Sequence, residues 1–201
     1  MMPAIKIKIN KVNNLTDARY FAAMGADYLG FCCNLETERY CSPTRIKEIT
    51  DWVEGPQFVL ELDGWQSLEE IDTLLDFNLG QALHFGAFAT YEDQFSLPVF
   101  KDIIFENMEQ TNISNIDFPV VRSEKNYDSF TENEIDRLKQ WISGKNVFLD
   151  IPVDGEMLKK MIETLPVYGL ILRGGEEEKT GLKSFENLDA IFDILHEYNA
   201  E

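Results

Sequence analysis

The sequence is short of positive charge, histidine and cysteine, and each shortage argues against a class of function. Eighteen Lys and Arg stand against 36 Asp and Glu, a formal net charge of −18. Such a surface repels a phosphate backbone and an anionic membrane alike, and no local basic run compensates. Neither nucleic acid nor a membrane surface is therefore expected as a partner. The acidity itself reads as solubility, with a salt-rich cytoplasm or a basic partner as the other readings. The two histidines, His84 and His196, and the three cysteines show no paired metal-ligand spacing, so no metal and no other cofactor is expected. Cys32, Cys33 and Cys41 are odd in number and two are adjacent, which suits reduced thiols in the cytoplasm better than disulfides. No stretch approaches the roughly 18 apolar residues of a membrane span. Met1-Met2-Pro3-Ala4 runs straight into alternating Ile5-Lys6-Ile7-Lys8-Ile9, without the pattern of a signal segment. No linker rich in serine, glycine or proline divides the 201 residues, so one domain over residues 1–201 is expected.

What is present is a repeated strand-then-helix unit. Ile5–Ile9 leads into a helix with Asn14 as its cap and Asp17 at the third position, ending at Gly25. Tyr28–Cys33 is almost continuously apolar, as in a strand covered on both faces, with Cys32 and Cys33 pointing to opposite sides. Ser42-Pro43 opens the next helix as cap and first-turn proline. After Gly55-Pro56 come strand Phe58–Leu62 and helix Leu68–Phe77, the latter announced by Ser67 with Glu70. Strands follow at Gln81–Phe85 and Val99–Phe105, but Gly86–Leu97 supports at most one helical turn near Tyr91. Glu106–Asp117 contains no long helix. Regularity returns with Phe118–Val121 and Glu132–Ile142, then Val147–Ile151 and Glu156–Leu165, then Leu170–Leu172 and Ser184–Tyr198. Eight such units predict an α/β fold, a (β/α)8 TIM barrel with an irregular fourth or fifth helix. An open doubly wound sheet is the rival.

Several short motifs sit at the ends of these units. Lys8-Ile9-Asn10-Lys11-Val12-Asn13 is followed by Asp17-Ala18, Gly25-Ala26-Asp27 and Gly30-Phe31. Glu38-Arg39-Tyr40 precedes Ser42-Pro43, Ala82-Leu83-His84-Phe85 closes the fourth strand, and Gly174-Gly175-Glu176-Glu177 leads to Gly181-Leu182-Lys183. Together they resemble the phosphoribosylanthranilate isomerase family of tryptophan biosynthesis. Its corresponding runs are Lys-Ile-Cys-Gly-Ile-Thr, Ser-Pro-Arg-Tyr, Gln-Leu-His-Gly and Ser-Gly-Val-Glu with Gly-Val-Lys. The resemblance implies a barrel that performs an Amadori rearrangement of a phosphorylated aminoribose, with a first-strand Cys as base and an Asp ending the sixth strand as acid. Here those positions hold Asn10 and a residue near Arg122. An amide has no useful basicity and a guanidinium stays charged, so the resemblance implies lost or altered isomerase chemistry. The family's Ala-Gly-Gly phosphate element is replaced by Asp150-Ile151-Pro152, where proline removes a backbone donor.

Candidate site residues follow from motif and place. Asn10 is either a turn residue or a pocket hydrogen-bonding group. Asp63 and Asp150 are candidate replacements for the missing acid and base. Arg39, Arg122 and Arg173 all fall beyond strand ends, on the face where barrels bind ligands, and would attract a small phosphorylated or carboxylated ligand. Gly174 and Gly175 would offer backbone N–H groups to the same anion, although Glu176–Glu178 opposes it. His84 either faces this mouth or is a satisfied structural histidine, whereas His196 is read as a surface or capping residue. The competing reading is a non-catalytic binding protein on the same barrel, and the chain is expected as a monomer or homodimer.

Overall fold

A computed structural model describes residues 4–62, 64, 66–89, 95–173, 177–179, 182–183 and 186–200, without side-chain detail for 177–187. Eight parallel strands close into a barrel in chain order. They are β1 (Lys6–Asn10), β2 (Tyr28–Cys32), β3 (Gln57–Leu62), β4 (Ala82–Phe85), β5 (Val99–Ile104), β6 (Phe118–Arg122), β7 (Phe148–Asp150) and β8 (Gly169–Arg173). The closing pair, β1 with β8, runs in register from Lys6 opposite Gly169 to Asn10 opposite Arg173. The rival open sheet is thereby eliminated.

The helices outside the barrel are α1 (Leu15–Ala23), α2 (Pro43–Thr50), α3 (Leu68–Leu75), α4 (Glu132–Ile142), α5 (Gly155–Thr164) and α6 (Glu186–Ala200). The starts of α1 to α5 are fixed by side-chain caps that satisfy otherwise orphaned N–H groups. Asn14 Oδ1 accepts from Asp17 N, Ser42 Oγ from Arg45 N, and Asp154 Oδ1 from Met157 N. Ser67 with Glu70 and Thr131 with Glu134 form reciprocal capping boxes. His196 Nε2, from α6, meets the carbonyl of Met24 at the end of α1, a different helix from its own.

The fourth and fifth connections depart from the repeat. Among the described residues neither carries an α-helix. Gly86–Ala89 forms a turn, Tyr91 lies outside the described residues, and a short 3-10 helix at Phe105–Gln110 follows β5 without a side-chain cap. One feature differs from expectation. Between β8 and α6 the chain makes an antiparallel hairpin, β9 (Glu177–Lys179) with β10 (Leu182–Lys183), and the last helix begins at Glu186 rather than Ser184. Among the described residues the first element after Gly174-Gly175 in the chain is thus a strand and not a helix.

Strand alternation divides the core in two. One face of the strands packs outward against the helices, as Ile5, Ile7 and Ile9 do. The other fills the barrel with Tyr28, Val59, Ala82, Phe100, Val120, Phe148 and Ile171. Aromatic rings dominate that inner layer, with Phe100 lying 4.6 Å from Phe118 and 5.1 Å from Phe148 between centroids. Gly169 makes room for it, since a Cβ there would stand 2.4 Å from the Phe148 ring. The aromatic plug closes the barrel below the strands' C-terminal ends, and everything on the inner face above it borders the mouth.

Candidate active site at the barrel mouth

The residue after the plug on each inner face is polar or very small on most strands. Following the alternation, β1 contributes Lys8 and Asn10, β2 Gly30 and Cys32, β3 Glu61, β4 His84, β5 Asp102, β6 Arg122, β7 Asp150 and β8 Arg173. Lys8, Asn10, Glu61, His84, Asp102 and Asp150 are all more than nine-tenths buried. Charged groups are seldom buried so deeply unless paired, because desolvation disfavours the ion.

They are paired. Lys8 Nζ, wholly inaccessible, donates to Glu61 Oε1 at 2.7 Å and to Asn10 Oδ1. Glu61 Oε2 accepts the backbone N–H of Lys11 at 3.0 Å. Lys11 holds φ of 59°, a left-handed conformation that costs a side-chain-bearing residue roughly 1–2 kcal/mol, at the position where the resembling family has glycine. On the opposite side His84 Nε2 lies 2.8 Å from Asp102 Oδ1. Arg122 Nη1 approaches Asp102 Oδ2 at 3.6 Å, and its Nε stands 3.9 Å from Asp150 Oδ2. Arg122 Nη2 also meets Glu124, and Arg173 Nη2 bonds Asp150 Oδ2 at 2.9 Å. Burial pushes the Asp102 carboxyl upward, but the charge and hydrogen bond of His84, with Arg122 and Lys8, hold it below the usual carboxylate range.

Three cations, Lys8, Arg122 and Arg173, are thus set against three carboxylates, Glu61, Asp102 and Asp150. Of the three arginines read from sequence as anion donors, Arg122 and Arg173 are already engaged with carboxylates. Asp150 likewise acts as the partner of Arg173 and Arg122. The space enclosed among the strand ends is only about 20 Å³, room for about one water. Beside it, sharing Gly86, Asp102 and Arg122, a cleft of about 470 Å³ opens over the ends of β4, β5 and β6. Its β4 side is pinned by Lys101, whose Nζ donates to the carbonyls of Gly86 and Ala89 at 2.6 and 2.7 Å.

Comparison with solved structures places this architecture. TrpF from Jonesia denitrificans aligns over 96% of this chain and 97% of its own at 16% identity, with a TM-score of 0.78. Phosphoribosyl anthranilate isomerase from Thermus thermophilus aligns over 96% and 100% at 21% identity and a TM-score of 0.74. A phosphoribosyl anthranilate isomerase in complex with reduced 1-(o-carboxyphenylamino)-1-deoxyribulose 5-phosphate aligns over 96% and 99% at 17% identity and a TM-score of 0.77. The fold is that of the phosphoribosylanthranilate isomerases. No family model matches the sequence, and no curated protein matches it.

Within that isomerase fold, Asn10 ends β1 on the inner face and Arg122 ends β6 on the inner face. The positions the resemblance assigns to base and acid therefore border the same small space, occupied by groups of neither chemistry. Arg39 is half-buried in the turn between β2 and α2 and is not among the residues lining that space or the cleft beside it, with no ion pair to any described residue. Asp63, Gly174 and Gly175 lie outside the described residues. Sequence reasoning passed over Lys8, Glu61 and Asp102. The signal for Glu61 and Asp102 was charge inside apolar strands, one in Val59-Leu60-Glu61-Leu62 and two in Phe100-Lys101-Asp102-Ile103.

A larger space, about 710 Å³, lies outside the barrel between α2 and α3, bordered by Leu35, Tyr40, Cys41 and Phe77. Its thiols are poor nucleophiles, because burial pushes Cys41 up to about 11 and raises Cys33 as well. The smaller mouth is the better candidate, since volume without converging reactive groups supplies no chemistry. Among the described residues no His, Cys, Asp and Glu cluster could hold a metal ion, and no helix is long and apolar enough to cross a membrane.

Proposed function

We propose that this chain is a phosphoribosylanthranilate isomerase-like enzyme, derived from the tryptophan-pathway barrel, that has lost the family's Amadori rearrangement and transfers protons with other groups. Its ligand is a small phosphorylated or carboxylated sugar. The single observation that carries the reading is the ring of ionisable side chains on the inner face of the strand ends, with Lys8, Glu61, His84, Asp102 and Asp150 buried and the half-buried Arg122 among them. Buried charges in a merely structural mouth are dispensable, because apolar residues of similar volume are as stabilising or more so. At a catalytic centre they are useful, since preorganised charges act on a developing transition state without reorganising.

The Amadori reaction needs one group to protonate the sugar-ring oxygen and another to take the C2 proton. Asn10 and Arg122 do neither at neutral pH. Purified protein supplied with phosphoribosylanthranilate should leave its fluorescence decaying at the uncatalysed rate. Efficient turnover would sink the loss of isomerase chemistry. The second reading, a non-catalytic phosphosugar- or anion-binding protein, is favoured by the enclosed volume of about 20 Å³, too small for a whole sugar. Under either reading we place the protein in the cytoplasm as a single domain, monomeric or homodimeric.

A further inference from the structure

We infer that His84, held by Asp102, is the catalytic acid–base of the mouth, and that its substrate is an aldose or ketose whose carbonyl-bearing end reaches in from the cleft over β4–β6. The inference rests on the enzymatic reading above and names the residue and substrate class that reading leaves open.

The geometry begins at Asp102. Its Oδ1 meets His84 Nε2 at 2.8 Å, and Arg122 stands 3.6 Å from its other oxygen. The same neighbours keep Asp102 ionised despite its burial. A carboxylate only accepts hydrogen bonds, so the proton between the two sits on Nε2. With Nε2 carrying the shared proton, the lone pair of the unprotonated ring lies on Nδ1, and Nδ1 has no hydrogen-bond partner among the described residues. His84 borders the enclosed space at the strand ends, next to the open cleft. An orienting carboxylate, a fixed tautomer and an unengaged lone pair beside an accessible cleft are the parts a general base requires.

The surroundings set the reaction. When His84 Nδ1 takes the proton from the carbon next to a carbonyl, the C–H pair moves into a carbon–carbon double bond. Negative charge then collects on the carbonyl oxygen as an enediolate. Arg122, whose guanidinium borders both spaces, is the cation available to that oxygen, and Lys8 and Glu61 fix the opposite wall. Return of the same proton from Nδ1 to the former carbonyl carbon, with the hydroxyl proton of the enediolate passing from the adjacent oxygen to the oxygen beside Arg122, gives the isomeric sugar, with no oxidant, reductant or metal consumed. The cleft has room for a whole sugar, and Phe88 on its rim, 75% exposed, offers an apolar face for the sugar's carbon chain.

The test has two independent arms. In nitrogen-15 NMR spectra of wild type at neutral pH, His84 should show a protonated Nε2 and an unprotonated Nδ1, and Asp102→Asn should change that tautomer balance. A wild-type ring protonated at Nδ1 alone overturns the inference whatever the substrate. In heavy water, wild type incubated with ribose 5-phosphate and ribulose 5-phosphate should exchange the proton next to the carbonyl. His84→Gln should lower that rate by about 10²–10⁴-fold. His84→Ala should fall as far and recover in part when imidazole is added, a response a structural histidine would not give. Exchange that survives in both variants overturns His84 and leaves the enzymatic reading standing. No exchange by wild type with either sugar overturns both.

Discussion

Gly30 is a residue whose importance only its neighbours disclose. A Cβ at this point of β2 would stand 1.9 Å from Glu61 Oε1 and 2.8 Å from Lys8 Nζ. The glycine is therefore the space in which the buried ion pair sits. Gly30→Ala must displace one partner, and separating a buried pair leaves a charge without compensation, at a cost of about 3–5 kcal/mol. Urea unfolding should show that loss as a lower midpoint with an unchanged slope, and a variant as stable as wild type would mean the pair relocates freely. Sequence reasoning saw the Gly30-Phe31 motif but not this purpose, because Lys8 and Glu61 were not recognised as site residues. The alternation Ile5-Lys6-Ile7-Lys8-Ile9 was legible, and its polar face would ordinarily be the wet one. In a closed barrel the isoleucines face the helices and the other face turns inward, so Lys8 is in the interior while Lys6 pairs with Asp27 nearer the surface. Asn10, His84, Arg122, Asp150 and Arg173 were legible as residues near strand ends. Their pairing partners across the barrel were not, since partner choice depends on strand stagger that no local pattern encodes.

At the level of elements, what could be read was whatever local chemistry enforces. Ser67 with Glu70 is a reciprocal capping box, and Asn14, Ser42 and the strands' apolar runs are equally local signals. The hairpin β9–β10 escaped because Glu177-Glu178-Lys179 offers no apolar alternation to mark a strand. Helix α4 shows how much a cap can do. Glu134 accepts from Lys125 and from the backbone and hydroxyl of Thr131, and the Lys125 bond first, then the Thr131 N–H, hold its carboxyl down to about 2. A carboxyl whose folded pKa is depressed contributes stability above its unfolded value, near 4.3, and loses it as pH falls toward about 2. Glu134→Gln should therefore be less stable than wild type at pH 7, and the gap should narrow between about pH 4.5 and 2. Thermal unfolding across that range checks it, and a gap independent of pH would assign the loss to packing.

On the scale of the whole molecule the excess of carboxylates matters more than any one pair. A net charge of −18 on 201 residues repels itself in the compact state, while the ionic contacts within the mouth balance internally. Screening length falls from about 30 Å at 0.01 M salt to about 10 Å at 0.1 M, so added salt weakens the dispersed repulsion while touching the buried pairs little. The unfolding temperature should rise when sodium chloride is raised from about 10 mM to about 0.5 M, as calorimetry would record. A fall would mean that surface ion pairs such as Arg137 with Glu109 outweigh the repulsion.

Closure through β1 and β8 also sets the order in which the molecule can be made. The first strand gains its second neighbour only when Gly169–Arg173 has been synthesised. At about 5–20 residues per second, the nascent chain spends on the order of ten seconds with an open strand edge on the side β8 will cover. That edge carries Lys6 and Lys8, and lysine on an unpaired edge discourages another chain from adding to it. The lysine that ends up sealed inside the finished barrel can thus serve first as a guard on the ribosome, before its partner Glu61 is in place.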